Sequence, residues 1–161
     1  MNQEEFLTEL RRNPNQPYHN FKMVNIYIAR FVPSIEEIDL LLSLGANIDP
    51  QICVINYRHE AVAHLIRLKK LVPQDCIHDF CITPYHRDRP QEFLETLKVL
   101  IDHINDLNIL DSQDRTIMEC MKNNRQLKWI GEPYLRQEIK RREKAALDAQ
   151  KTKMGKYLID Y

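Results

Sequence analysis

Apolar residues recur along this chain at helical spacing in short blocks of about three turns, and prolines or polar clusters separate the blocks. The first block predicts a leading helix over Gln3 to Arg12, followed by a loop carrying Pro14 and Pro17. Four helix pairs come next: His19 to Phe31 with Ser34 to Leu44, Pro50 to Tyr57 with Glu60 to Leu71, Gln74 to Ile82 with Glu92 to Ile104, and Arg115 to Asn123 with Arg125 to Ile130. Beyond Pro133 a long charged helix runs to around Lys151. Pro33 breaks the first pair because proline lacks a backbone donor and clashes with the preceding turn, while Ser34 caps the next helix with Glu37 three residues on. Gly45 closes that helix where a left-handed residue costs least, and Pro73 ends the second pair. The alternating β-branched pattern of strands is missing.

Helices this short are marginal alone and must bury a face against neighbours. A succession of pairs with short connections therefore predicts a stack in which each pair covers the next, where an antiparallel bundle would use fewer, longer helices. The expected fold is all-α: stacked helix pairs, about four irregular units, with a long charged C-terminal helix. The expected division is a helical repeat domain over residues 1–135 and a basic C-terminal helix and tail over 136–161.

One stretch is more specific than periodicity. Glu37-Ile-Asp-Leu-Leu-Leu-Ser-Leu-Gly-Ala-Asn-Ile-Asp49 resembles the second half of an ankyrin repeat, an outer helix running into a Gly-Ala-Asp-Val-Asn turn. Thr96 to Asn108 has the same spacing, with Ile104 and Asn105 in the Gly-Ala positions, and Asp111 to Thr116 resembles the start of a following repeat. Thr83-Pro-Tyr-His86 is similar to the family's Thr-Pro-Leu-His motif and lies 33 residues before Thr116. Against this, Pro90 would interrupt a helix opened by that motif, so two placements stay open: a broken inner helix there, or an inner helix in the earlier Gln74 to Ile82 block. The second unit, Glu60 to Ile66, runs into Lys69, Lys70 and Pro73 and reads as a truncated repeat. The resemblance covers residues 20 to 131. It implies an ankyrin-like α-solenoid that recognises a folded protein partner, as degenerate ankyrin proteins of intracellular bacteria and large DNA viruses do. It also implies a cytoplasmic site of action, in a host if the protein is exported as an effector.

Composition narrows the alternatives. Lys plus Arg and Asp plus Glu each number 23, so no net field draws the molecule towards nucleic acid or membrane. Residues 136 to 156 depart from this balance with eight basic and three acidic side chains, leaving the rest of the chain with a surplus of five acidic ones. The four cysteines, Cys53, Cys76, Cys81 and Cys120, sit in or beside apolar helical runs, the pattern of thiols in a reducing compartment. No secretory signal and no span of eighteen apolar residues is visible.

Candidate chemistry is sparse. Cys76, His78, Cys81 and His86 offer four potential metal ligands, but their spacing fits no zinc finger or knuckle, and Cys76 and His78 would point to different sides of a helix. A thiol enzyme would need one of His59, His64 or His103 beside a cysteine, and phosphate-binding glycine loops are absent. A metal or thiol enzyme and a nucleic-acid or anionic-surface role for the basic helix are the competing readings; no enzyme activity, cofactor, metal or small-molecule substrate is expected. Trp129, Tyr134 and Leu135 are expected to seal the end of the stack, and Tyr157 to Tyr161 to dock back or act as a short recognition peptide. The expected partner is another protein, contacted by Tyr85, His86, Arg87, Asp88 and Arg89, a polar run rich in interface-favoured side chains.

Overall fold

Local signals set most helix starts in the computed structural model, which describes residues 1–159. Helix α1 (Gln3–Arg12) opens with a capping box: the Asn2 side chain accepts from the Glu5 N–H at 2.9 Å, and the Glu5 carboxylate accepts from the Asn2 N–H at 3.0 Å. Two short antiparallel strands, β1 (Pro17–Tyr18) and β2 (Phe21–Lys22), form a hairpin that leads into α2 (Met23–Arg30). The sequence predicted helix from His19; His19 instead turns the hairpin at φ +56°. Ser34 caps α3 (Ile35–Ser43) through the Glu37 N–H, as expected. Then follow α4 (Pro50–Ile55), α5 (His59–Arg67), α6 (Pro73–Ile82), α7 (Pro90–Asp102), α8 (Ile117–Lys122) and α9 (Lys128–Ile159). Pro50, Pro73 and Pro90 all stand in the first turn of a helix, where the missing N–H has no intrahelical partner to lose. Pro73 thus starts α6 rather than ending the helix before it.

Three successive helices close in one way. At the ends of α3, α4 and α5 the N–H groups of Ala46, Arg58 and Lys70 reach back to the carbonyls of Leu41, Cys53 and Leu65, each at 2.9 Å. The residue before each takes a left-handed backbone: Gly45, Tyr57 and Lys69, at φ +85°, +58° and +59°. These are Schellman motifs. Helix α5, read from the sequence as running straight into Lys69, Lys70 and Pro73, therefore has a closing turn, with lysine standing where glycine would have announced it.

Alternate helices pack together. Contacts run from α2 to α4, α6 and α8 in succession, and separately from α3 to α5, α7 and α9; α4 packs on α5, α6 on α7 and α8 on α9. Helices α2 and α4 are parallel, since the Asp49 N–H at the start of α4 donates to Asn25 near the start of α2, and Arg58 beyond the end of α4 donates to carbonyls at the end of α2. Asn124, beyond α8, likewise reaches the Cys81 carbonyl near the end of α6. Helix α1 packs on α2 through an aromatic group of Phe6, Tyr18, Tyr27 and Phe31.

The spacing between successive helices of a row is irregular. Starts along the second row fall at Ile35, His59, Pro90 and Lys128. Thr83 is the C-cap of α6 while Thr116 is the N-cap of α8, so the 33-residue interval joins unlike positions. Of the two placements left open, α6 occupies residues 73–82 and Thr83-Pro-Tyr-His86 lies in the following turn.

At the other end α9 runs unbroken through Pro133 and across the expected boundary at residue 135. Pro133 sits near the helix start with its ring exposed, while Gly131, Leu135 and Glu138 on the opposite side are buried. Packing of that buried side holds the helix through a residue that usually ends one. Of the three residues expected to seal this end, Leu135 is buried and Tyr134 is half-buried against the core, but Trp129 is 63% exposed. The C-terminal docking expected of Tyr157 to Tyr161 concerns residues 160 and 161 and the side chains of 157–159, which lie outside the described residues. Among the described residues no helix is long and apolar enough to cross a membrane.

Candidate protein-binding surface

The turn from α6 to α7 holds the polar run expected to contact a partner, and packing divides it. Tyr85 donates its hydroxyl proton to the Asp79 carboxylate one turn back on α6; burial first, then this carboxylate, pushes the phenol up to about 12. The His86 N–H donates to the Tyr57 hydroxyl at 3.1 Å, its ring meets the edge of Tyr57, and Nε2 lies 3.2 Å from Asn56 Oδ1. Burial lowers the His86 pKa. Arg89 donates to the Asn56 carbonyl at 2.8 Å and lies over the Tyr57 ring; its Nε is 3.3 Å from Glu92 without an aligned hydrogen bond. Arg87 and Asp88 are exposed. Tyr85 thus closes back on α6, His86 and Arg89 tie the turn to the end of α4, and Arg87 and Asp88 face solvent.

Arg89 belongs to a set of polar side chains that close helix C-termini. Arg58, only 7% exposed, donates from Nε to Ile28 O at 2.9 Å and from Nη2 to Ala29 O at 3.1 Å, at the end of α2. Arg89 does the same at α4, Asn124 at α6 through Cys81 O, and Arg142 at α7 through Ile101 O and Ile104 O. Carbonyls at these ends have no intrahelical donor and carry the negative end of the helix dipole, so a guanidinium satisfies both demands. Burial, then the nearby Arg89 charge, lowers the Arg58 pKa. Between the starts of α5 and α7 a cleft of about 310 Å³ is lined by Val32, Pro33, Tyr57, Ala61, Glu92 and Glu95.

At the opposite edge, where α2, α4, α6 and α8 begin, large apolar side chains stand exposed. Phe21 precedes α2, Val72 is the N-cap of α6 and Leu110 lies in the loop before α8. Two depressions lie along this edge, one at the start of α4 and one beside the start of α6. One, of about 260 Å³, is lined by Ala46, Ile48, Pro50 and Lys70; the other, of about 360 Å³, by Gln74, His78, Leu110, Asp111 and Arg115. Asp111 shapes the second. Its carboxylate accepts from the N–H groups of Arg115 and Gln113 and from the Arg115 guanidinium, at 2.8 to 2.9 Å, which holds its pKa down to about 2. Sequence reasoning missed this edge; the signal was an apolar residue placed directly before a helix-opening proline, Val72-Pro73.

The sequence-level metal and thiol candidates do not converge. His78 Nε2 is 2.9 Å from the Ile109 carbonyl, the Cys76 thiol faces the Pro73 carbonyl, and His86 sits against Tyr57. His59 pairs with Glu95, His64 with Asp39, and His103 Nδ1 with the Val99 carbonyl. No group of three or more potential ligands gathers among the described residues. All four cysteines are buried thiols, and burial drives their pKa up: about 12 at Cys53, about 11 at Cys76 and Cys120, and well above the ordinary value at Cys81. Such thiols stay protonated at neutral pH.

Comparison of the chain with protein-family models, with curated proteins and with solved structures finds no match.

Proposed function

We propose that this chain is a protein-binding module: an irregular stack of ankyrin-like helix pairs that recognises a folded partner. The observation that carries the reading is the alternation of contacts, α2 to α4, α6 and α8 on one row and α3 to α5, α7 and α9 on the other, with parallel neighbours in the first row. A stack of helix pairs has this pattern because each pair can bury its face only against the next. The repeated Schellman closures at Gly45, Tyr57 and Lys69 are in keeping with it, since they turn three successive helices back by the same local geometry. The partner rests on the edge bearing Phe21, Val72 and Leu110, because exposed apolar side chains beside depressions are what an interface core requires. Arg87 and Asp88, at the far edge, form a second and separate contact region.

Affinity capture on the full chain tests this. A stoichiometric protein partner is expected, with capture lost on Val72→Glu with Leu110→Glu and the melting temperature kept. Loss on Arg87→Glu alone would move the contact to the α6–α7 turn. Capture indifferent to all three substitutions would sink both placements.

A further inference from the structure

Helix α9 has a second face. Gly131, Leu135, Glu138 and Arg142 pack on the body, and at 100° per residue the side opposite them is traced by steps of three, four and seven residues from Trp129. Along it lie Trp129, Leu147 and Met154, exposed by 63%, 56% and 61%. Between and beside them stand Lys140, Lys144 and Lys151, all exposed and, among the described residues, in no ion pair; the pairs on α9 use Arg136, Arg141 and Arg142. The face runs about 38 Å from Trp129 to Met154, and its two acidic side chains, Glu132 and Glu143, lie along one margin, Glu132 paired with Arg136. The chain is neutral as a whole, so this is a local concentration of charge.

We propose that this face of α9 lies flat on an anionic lipid membrane, with the lysines at the headgroups and Trp129, Leu147 and Met154 entering the interfacial layer. Charge selects an anionic occupant. A protein groove that takes a helix needs apolar anchors at successive turns, and here eighteen residues separate Trp129 from Leu147. A second copy of the same face would set lysine against lysine. Single-stranded nucleic acid is held by several stacked aromatic side chains, and this face has one. A long, straight stripe with sparse apolar points suits a flat surface, and the body on the opposite side of α9 leaves it clear.

Trp129 is the only tryptophan of the chain, so it reports its own environment. The full chain is mixed with phosphatidylcholine vesicles, with and without phosphatidylserine, and followed by co-sedimentation and tryptophan emission. Binding about tenfold or more stronger to the phosphatidylserine vesicles is expected, with a blue shift of emission and weakening as salt rises. Reversing Lys140, Lys144 and Lys151 to Glu should abolish it while circular dichroism is unchanged. Reversing Lys22, Lys69 and Lys70, an equal change of net charge elsewhere, should leave the blue shift and most of the binding. Equal loss in both triple variants, emission that does not shift, or capture of single-stranded DNA or polyglutamate in place of vesicles would overturn the proposal.

Discussion

Tyr57 and Lys69 share a left-handed backbone at a helix end and differ in what their side chains do there. A side chain with a Cβ costs about 1–2 kcal/mol in this conformation, and glycine relieves it at the expense of a looser unfolded chain. Lys69 is exposed, so nothing is lost with its side chain. Lys69→Gly is expected to raise stability by about 0.5–1 kcal/mol in urea unfolding. Tyr57 is buried against Phe80, Phe93 and His86, and its hydroxyl accepts from the His86 backbone. Tyr57→Gly should therefore destabilise by about 3 kcal/mol or more, although it relieves the same backbone. Opposite signs at two equivalent positions distinguish backbone strain from packing; equal signs would show that the shared turn does not control either.

At the scale of the element, α9 depends on a close crossing. Gly131 faces Met121 and Phe93, and a Cβ there would fall inside contact distance of the Met121 sulfur and 3.2 Å from the Phe93 ring. Gly131→Val is expected to cost about 1–3 kcal/mol by overpacking. Met121→Ala, itself destabilising, should make room for it, so the double variant should be more stable than the sum of the singles predicts in a denaturant double-mutant cycle. Additive effects would mean that α9 moves away rather than colliding. Further along, Arg142 donates to Ile101 and Ile104 at the end of α7 while Glu138 holds it at 3.0 Å, so α9 is fastened by charge as well as by its apolar side.

Across the whole molecule, two carboxylates bias stability towards neutral pH. Asp111 and Glu138 are both held down to about 2, Asp111 chiefly by the Arg115 N–H and Glu138 chiefly by the Arg141 guanidinium. Their ordinary values are 3.8 and 4.5. A carboxylate with a lower pKa in the folded state adds stability that is complete above its unfolded value and lost as pH falls through the folded one. The melting temperature should therefore fall between pH about 4.5 and 2, and Asp111→Asn with Glu138→Gln should lower it at neutral pH while flattening that slope. A slope unchanged in the double variant would place the acid sensitivity elsewhere.

What the sequence determined by itself is local. Ser34 with Glu37, Gly45, the run of Leu40 to Leu42 and helix α1 from Gln3 to Arg12 are readable because caps, left-handed glycine and helical periodicity act within a few residues. The mostly helical class follows from the same signals, and so does the excess of cations in α9. Tertiary structure decided the rest. Lys69 closes a turn that looked lost, Pro133 sits inside a helix it should have ended, and Trp129 faces solvent where burial was expected. Arg89 and His86 read as surface chemistry because a polar side chain carries no mark of what it will meet. Only the fold brings the end of α4, some thirty residues earlier, within their reach, where a carbonyl without a donor claims the guanidinium and leaves Arg87 and Asp88 to the solvent.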